Sequence, residues 1–359
     1  MATSHETILF VNLKALEHNY NYLKSKLNSD TEIIAVVKAF AYGHGDVVVA
    51  KKLEELGVSA FWVADFEEGV TLKKSGINRP IIIANPGAKS CSDIIEYDLQ
   101  PVIYNFRLLE LYGEKKSPIS IHIKFNSGMN RYGFNLEEME ALAEKLKKYP
   151  HLKVESICTH LSSSDNSKQD KFTYLQFQKF ELITSKFYIK TGIKAAHHIL
   201  NTTGLLRFPE YQKEMVRLGI GLYGIGYDKN LKAVAKLQSN IAQIRSINKG
   251  EKVGYDATFI ANKDMKIGIV PLGYADGINR KLGNENGHVL VNTKPAKIVG
   301  KISMDSMLID LRTIEAKEGD VVTIFDAKNN ILEIAANLDT IPYEILATLN
   351  RRIKRVYPD

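Results

Sequence analysis

Cysteine is scarce: Cys91 and Cys158 are the only two in 359 residues. Two thiols cannot build a disulfide framework or a cysteine-rich zinc site. Cys158 closes the run Val154-Glu155-Ser156-Ile157-Cys158, where a small buried hydrophobe fits. No apolar run approaches the length that spans a bilayer, so no membrane partner is expected. The opening residues, Met1-Ala2-Thr3-Ser4-His5-Glu6, carry neither the basic segment nor the apolar stretch of an export signal. The expected location is therefore the cytoplasm. No strand candidate is followed by Gly-x-Gly-x-x-Gly, which argues against a dinucleotide-binding sheet. The net charge of +7 is spread over helical faces. One dense basic cluster, Arg351-Arg352-Ile353-Lys354-Arg355, lacks interleaved aromatics, and no nucleic-acid partner is expected. The same charge would attract small anions.

What is present is an alternation. Short apolar runs at residues 33–37, 60–64, 80–84, 100–104, 120–124, 154–159, 196–200 and 215–218 are separated by amphipathic stretches. In Leu136–Lys148, for example, Leu136, Met139, Leu142, Ala143 and Leu146 recur three or four apart. Repeated strand–helix units imply a parallel sheet. Eight of them suggest a closed (β/α)8 TIM-type barrel, with a doubly wound sheet as the alternative. Near Val234 helical periodicity fades. Alternating strands appear at 238–246, 265–270, 288–291 and 321–324, punctuated by Gly-containing turns. The chain thus reads as a barrel over residues 1–233 and a smaller, mainly β domain over 234–359. A last helix is expected at 342–350, with Asp339-Thr340 as its cap.

Barrel enzymes carry their reactive groups at the C-terminal ends of the strands. Lys38 ends the first apolar run, with Tyr42 just beyond. On its own such a lysine either reaches solvent or forms a Schiff base with an aldehyde cofactor, pyridoxal phosphate above all. Lys124 ends the fifth run, with Arg131 in the following loop. His160 ends the sixth, Asn201 and Thr202 end the seventh, and Arg217 lies in the eighth, before Gly219-Ile220-Gly221. All converge on one mouth. His197-His198 suggests a metal pair, but adjacent strand residues face opposite ways, and no metal site is expected.

Seven segments, in order along the chain, resemble alanine racemase of the barrel-plus-β-domain type. They are Val37-Lys38-Ala39-Phe40-Ala41-Tyr42-Gly43-His44-Gly45, Ser127-Gly128-Met129-Asn130-Arg131-Tyr132-Gly133-Phe134, Thr159-His160-Leu161, Arg217-Leu218-Gly219-Ile220, Val253-Gly254-Tyr255, Gly273-Tyr274-Ala275-Asp276-Gly277 and Gly300-Lys301-Ile302-Ser303-Met304-Asp305. The resemblance implies racemisation of alanine with pyridoxal 5'-phosphate, supplying D-alanine for peptidoglycan. It implies that Lys38 anchors the cofactor and that Tyr42, Thr202, Gly219 and Ile220 hold its phosphate. His160, Asn201 and Arg217 would complete the cofactor site, with Arg217 at the pyridine nitrogen. Lys38 and Tyr255 would be the two bases. A free tyrosine loses its proton near pH 10, at about three units above neutrality, so a chain from Tyr255 through His160 to the Arg217 charge is implied as support. Arg131 would bind the substrate carboxylate, and Lys124, carbamylated in many members, would orient it. Tyr274 and Met304 would narrow the site, backed by Arg280 and Asp305. Tyr255, Tyr274 and Met304 would come from the partner in a homodimer with shared sites. A broader-specificity racemase and a non-catalytic pyridoxal-phosphate-binding barrel are the alternatives.

Four positions depart from the family pattern. Phe40 stands where Asn or Asp is usual, Asp256 where a small residue is common, Ser303 for a frequent Cys, and Arg351 for an active-site Tyr in some members. Asp256 would raise the pKa of Tyr255 if it pointed inward.

Overall fold

The computed structural model describes residues 4–226, 228–327 and 331–358. Strand β1 (Ile8–Val11) opens the chain. Eight parallel strands follow: β2 (Glu32–Val36), β3 (Ala60–Val63), β4 (Ile81–Ile83), β5 (Gln100–Ile103), β6 (Ile119–Lys124), β7 (Leu152–Cys158), β8 (Ala196–His198) and β9 (Met215–Leu218). Each expected apolar run forms one of them. Runs such as those of β2, β3 and β4 are almost wholly apolar because both faces are covered, the inner by the barrel core and the outer by helices. β2 illustrates this: after Glu32, all four residues are buried.

Asx residues punctuate the passage from strand to helix. Asp65 accepts from Glu68 N at 3.1 Å, Asn105 from Leu108 N at 2.9 Å and Asn201 from Gly204 N at 2.8 Å, each capping the next helix. The Leu136–Lys148 stretch starts as a 3₁₀ turn behind an Asn135/Glu138 capping box and continues as α-helix from Met139. The last helix runs Pro342–Ala347, shorter than expected. Ile341, not Asp339 or Thr340, occupies its cap position, and Pro342 takes the first helical place.

The barrel is nearly closed. β9 pairs with β2 over Glu32↔Met215 to Ala35↔Leu218. β8 and β9 meet through one bridge, Asn201↔Arg217, where Arg217 N donates to Leu200 O at 3.0 Å. The seam thus falls on two of the residues singled out above.

The second layer is a nine-stranded sheet. It includes Met265–Val270, His288–Val291 and Val321–Phe325 as expected, whereas the 238–246 run splits into Ala235–Asn240 and Gln243–Ile247. β1 is not a barrel strand. It lies in this sheet, antiparallel to Ala235–Asn240 and parallel to Lys354–Val356, so the first segment of the chain belongs structurally with the last. A pattern of apolar alternation cannot say which of two sheets recruits a strand.

After β2 the backbone turns left-handed. Ala39, Phe40, Ala41 and Tyr42 have φ of 54°, 57°, 51° and 51°, and none is glycine. Such residues cost on the order of 1–2 kcal/mol each, so surrounding contacts must impose the shape. Glu68 accepts from Ala39 N at 2.6 Å and from Ala64 N at 2.7 Å, tying the ends of β2 and β3 together. The C-terminal segment closes from the other side. Arg355 Nε donates to Gly43 O at 3.0 Å and Tyr357 Oη to His44 O at 2.9 Å. The guanidinium groups of Arg351 and Arg355 lie 4.5 and 5.2 Å from the centre of the Phe40 ring. A Cβ at Gly43 would fall 2.2 Å from Leu346 O, so this contact needs glycine.

Candidate active site

A cavity of about 260 Å³ opens at the C-terminal ends of the barrel strands. Lys38, Tyr42, Lys124, Arg131, His160, Asn201, Thr202, Arg217, Gly219 and Ile220 all line it. Sequence reasoning did not single out Trp62, Asn85 or Tyr343, which line it too. Each sits in an otherwise ordinary segment and gave no signal of its own.

Among the described residues, four of the lining side chains are cationic and none is a carboxylate. Burial, then the charge of Arg131, lowers the Lys38 pKa, with Arg217 adding to the effect and Glu68 opposing it. Burial lowers Lys124 to about 8; Arg217, Arg131 and Lys38 push the same way. Lys124 is not at the surface: it is 8% exposed and its Nζ lies 5.8 Å from the centre of the Tyr132 ring. A site with this charge wants anions, and its amines are held partly ready to act as neutral bases or nucleophiles.

Arg217 is buried, with no carboxylate partner among the described residues. Its Nη1 donates to His198 Nδ1 and, at 3.1 Å, to His198 O. Nη2 donates to Thr159 O at 2.6 Å, Ile199 O at 3.1 Å and His160 Nδ1 at 3.2 Å. Nε makes no hydrogen bond to the described residues, on a side chain that lines the cavity. Its guanidinium also lies 5.5 Å from the centre of the Trp62 ring. Burial and the Arg217 charge hold His160 well below the usual histidine range, so it stays neutral and can accept.

The same cavity holds a cradle of donors. Thr202 Oγ1 accepts from Gly219 N at 3.1 Å and Gly221 N at 3.4 Å, which leaves its hydroxyl proton free. The buried Ile220 N–H finds no acceptor among the described residues. The Tyr42 hydroxyl likewise makes no hydrogen bond to them, and burial raises its pKa, so it remains a donor. Its ring is fixed between Tyr223 and Tyr343, at centroid distances of 4.8 and 5.9 Å. A Cβ at Gly219 would sit 2.9 Å from Tyr42 Oη and fill the space. Unpaired donors around a small gap suit a phosphate. Asn201 uses its amide oxygen on Gly204 N and Ser164 Oγ, leaving its NH₂ as the end available to the cavity.

Tyr255, Tyr274 and Met304 do not line this cavity. They are 65%, 41% and 54% exposed on the second domain. Their turns are joined: Tyr274 N donates to Ser303 O and Ala275 N to Met304 O, both at 3.0 Å. Arg280 lies over the Tyr274 ring at 5.8 Å and donates to Ile302 O at 3.3 Å. Asp305 accepts from Arg352 Nη2 at 2.7 Å, while Arg352 Nε donates to Asp276 at 2.6 Å. Asp256 pairs with Lys301. His198 turns inward to Arg217 and His197 sits 3.5 Å from Glu214, on opposite sides of β8.

Family models for the alanine racemase N-terminal and C-terminal domains match residues 11–226 and 234–357. The chain is 33% identical to the alanine racemase of Sorangium cellulosum over 371 aligned residues, covering 97% of each. It superimposes on the alanine racemase structure from Clostridium difficile with a TM-score of 0.93 at 30% identity, covering 99% of this chain and 97% of that one. It also matches the Bartonella henselae alanine racemase solved with covalently bound pyridoxal phosphate, with a TM-score of 0.89 at 28% identity, covering 99% of this chain and all of that one. The converging barrel mouth, the β domain and the full-length match agree, and the chain belongs to the alanine racemase family, isomerases that interconvert the two forms of alanine.

Proposed function

We propose that the protein racemises alanine with pyridoxal 5'-phosphate by a two-base mechanism, in the cytoplasm, and that its D-alanine feeds peptidoglycan. The observation that carries this reading is the cavity with four cations and no acid, beside a cradle of unpaired donors. It needs two anionic groups, a phosphate and a carboxylate. The donor set fits the cofactor: Tyr42 Oη, the Thr202 hydroxyl and Ile220 N–H for the phosphate, Lys38 Nζ for the aldehyde carbon, and Arg217 Nε for the ring nitrogen. When bound, pyridoxal phosphate acts as an electron sink that acidifies the substrate's Cα–H.

The residues then divide the work. Arg217 has only N–H groups to offer, so it demands an acceptor opposite and donates no mobile proton at neutral pH. Arg131 supplies a guanidinium fork for the substrate carboxylate. Lys38 Nζ, its pKa lowered by burial and Arg131, serves as base on one face of Cα. Tyr255 Oη serves the other face, delivered from the second copy of a homodimer together with Tyr274 and Met304. Their exposure and their absence from the chain's own cavity support that arrangement. His160 Nδ1, already accepting from Arg217, would leave its Nε2–H for the incoming Tyr255 and favour the phenolate. Asp256 is taken up by Lys301 and does not oppose this. Lys124, with a pKa near 8, has enough neutral amine to add carbon dioxide, lose one proton and become the carbamate that orients Arg131. An intact-mass gain of one carbon dioxide on Lys124 under bicarbonate is expected.

The test uses the holoenzyme with L-alanine in deuterium oxide. Loss of optical rotation together with deuterium at Cα is expected. Exchange without racemisation would reject the two-base assignment. Lys38→Ala should abolish both and remove the visible band of lysine-bound cofactor.

A further inference from the structure

Five successive barrel strands each contribute one side chain to a single hydrogen-bonded belt inside the barrel. Gln100 of β5, His122 of β6, Ser156 of β7, His198 of β8 and Arg217 of β9 are linked in that order. Gln100 Oε1 to His122 Nε2 is 2.9 Å, His122 Nδ1 to Ser156 Oγ is 2.6 Å, and Ser156 Oγ to His198 Nε2 is 2.8 Å. Histidine 122, Ser156 and His198 are each at most 2% exposed. A barrel interior is ordinarily filled by branched apolar side chains, so a polar layer there requires a reason.

The direction of every bond follows from one end. Arginine cannot accept, so Arg217 donates to His198 Nδ1. A neutral His198 must then carry its proton on Nε2 and donate it to Ser156. The Ser156 hydroxyl, having accepted, donates to His122 Nδ1. His122 then carries its proton on Nε2 and donates it to Gln100 Oε1, which can only accept. No link is frustrated, and reversing any one would break the next.

We propose that Gln100, His122, Ser156 and His198 are positioning residues for Arg217, acting as one oriented belt that stabilises its buried charge without an acid and aims its one uncommitted donor, Nε, at the cavity. Each imidazole presents its lone pair toward the arginine, so the aligned dipoles replace the missing counter-ion. A carboxylate would do the same for the charge but would also weaken the field Arg217 projects into the site. Burial agrees with neutral rings: it lowers His122 to about 4 and, with Arg217, holds His198 well below its usual range.

The belt's link to catalysis rests on the proposed facing of Arg217 to the cofactor, so two readouts are kept apart. Nitrogen-15 NMR of histidine-labelled protein, with and without pyridoxal phosphate, reads the rings directly at pH 7. Both His122 and His198 are expected as the neutral Nε2–H form in either sample. An Nδ1–H form or an imidazolium at either position overturns the proposal, whatever the enzyme's activity. In Ser156→Ala the His122 signal should lose its fixed Nε2–H form. Steady-state kcat should fall about tenfold while KM for alanine stays within about twofold. Ser156→Thr, which keeps the hydroxyl, should restore the tautomer and most of kcat. A Ser156→Ala enzyme with unchanged ring signals and unchanged kcat also overturns it. If racemisation itself is absent but the tautomers are as stated, the functional reading fails and the belt stands.

Discussion

The barrel mouth and the second domain treat their chemical residues in opposite ways. At the mouth, Thr202 and Arg217 are 4% exposed and Tyr42 is 6%, each locked by several partners. On the second domain Tyr255 is 65% exposed, on a turn where Asp256 and Ala257 have φ of 56° and 51°. In the proposed site, one half is preorganised within the chain. The other half is displayed on a braced but outward-facing surface, through the paired turns at Tyr274 and Met304 and the Arg352 bridge to Asp276 and Asp305. On the proposed reading, the contrast teaches that burial marks the groups that must not move, and exposure the groups offered to a partner.

The largest effect that would break this contrast comes from mixing two inactive chains. Lys38→Ala and Tyr255→Phe proteins, each dead alone, should regain about a quarter of wild-type activity after co-refolding, because half the dimers are mixed and each has one intact site. Racemase assays on the mixture check this. Zero recovery would mean that each chain uses its own Tyr255.

Acid should act on the barrel. Burial lowers His44 and His122 to about 4, so in the folded state they resist protonation that the unfolded chain accepts near pH 6.5. The unfolded state binds more protons in that interval, and stability therefore rises with pH from about 4 to about 6.5 and is lost on acidification. Each group contributes on the order of 3 kcal/mol over that window. Urea midpoints measured between pH 7 and 4.5 should fall steadily. A flat profile would show these rings already charged or solvated.

The smallest effect concerns the left-handed turn. Removing Arg351 by Arg351→Ala takes one guanidinium from the Phe40 face and should cost about 1 kcal/mol in stability. Cofactor affinity should fall severalfold, as read by titrating the visible band. Phe40→Ala should do no worse than the two arginine changes combined, since both act through the same ring.

The barrel was legible because most strands are short, largely apolar runs, several of them followed by an Asx cap or glycine. The convergence at the mouth was legible because strand ends carry the chemistry in this architecture. Three things were not. The recruitment of β1 by the other sheet leaves no trace in local pattern. Phe40 and Arg351 both depart from the family pattern, and the sequence alone gave no reason; they are 311 positions apart and stack on each other. The polar belt was hidden because its members are single His, Ser and Gln residues inside apolar runs, each with an ordinary reading until the neighbours are known. Conversely, His197 and His198 separated as the strand's alternation requires.

The pairing of Ile8 with Lys354 and Leu9 with Arg355 has a temporal consequence. A ribosome adding about 5–20 residues per second leaves β1 waiting roughly 20–70 s for its final neighbour. Arg351, Arg355 and Tyr357, which fasten the turn after Lys38, are likewise made long after it. The turn after Lys38 thus acquires its full set of contacts only once Tyr357 has been made, long after the barrel strands around it.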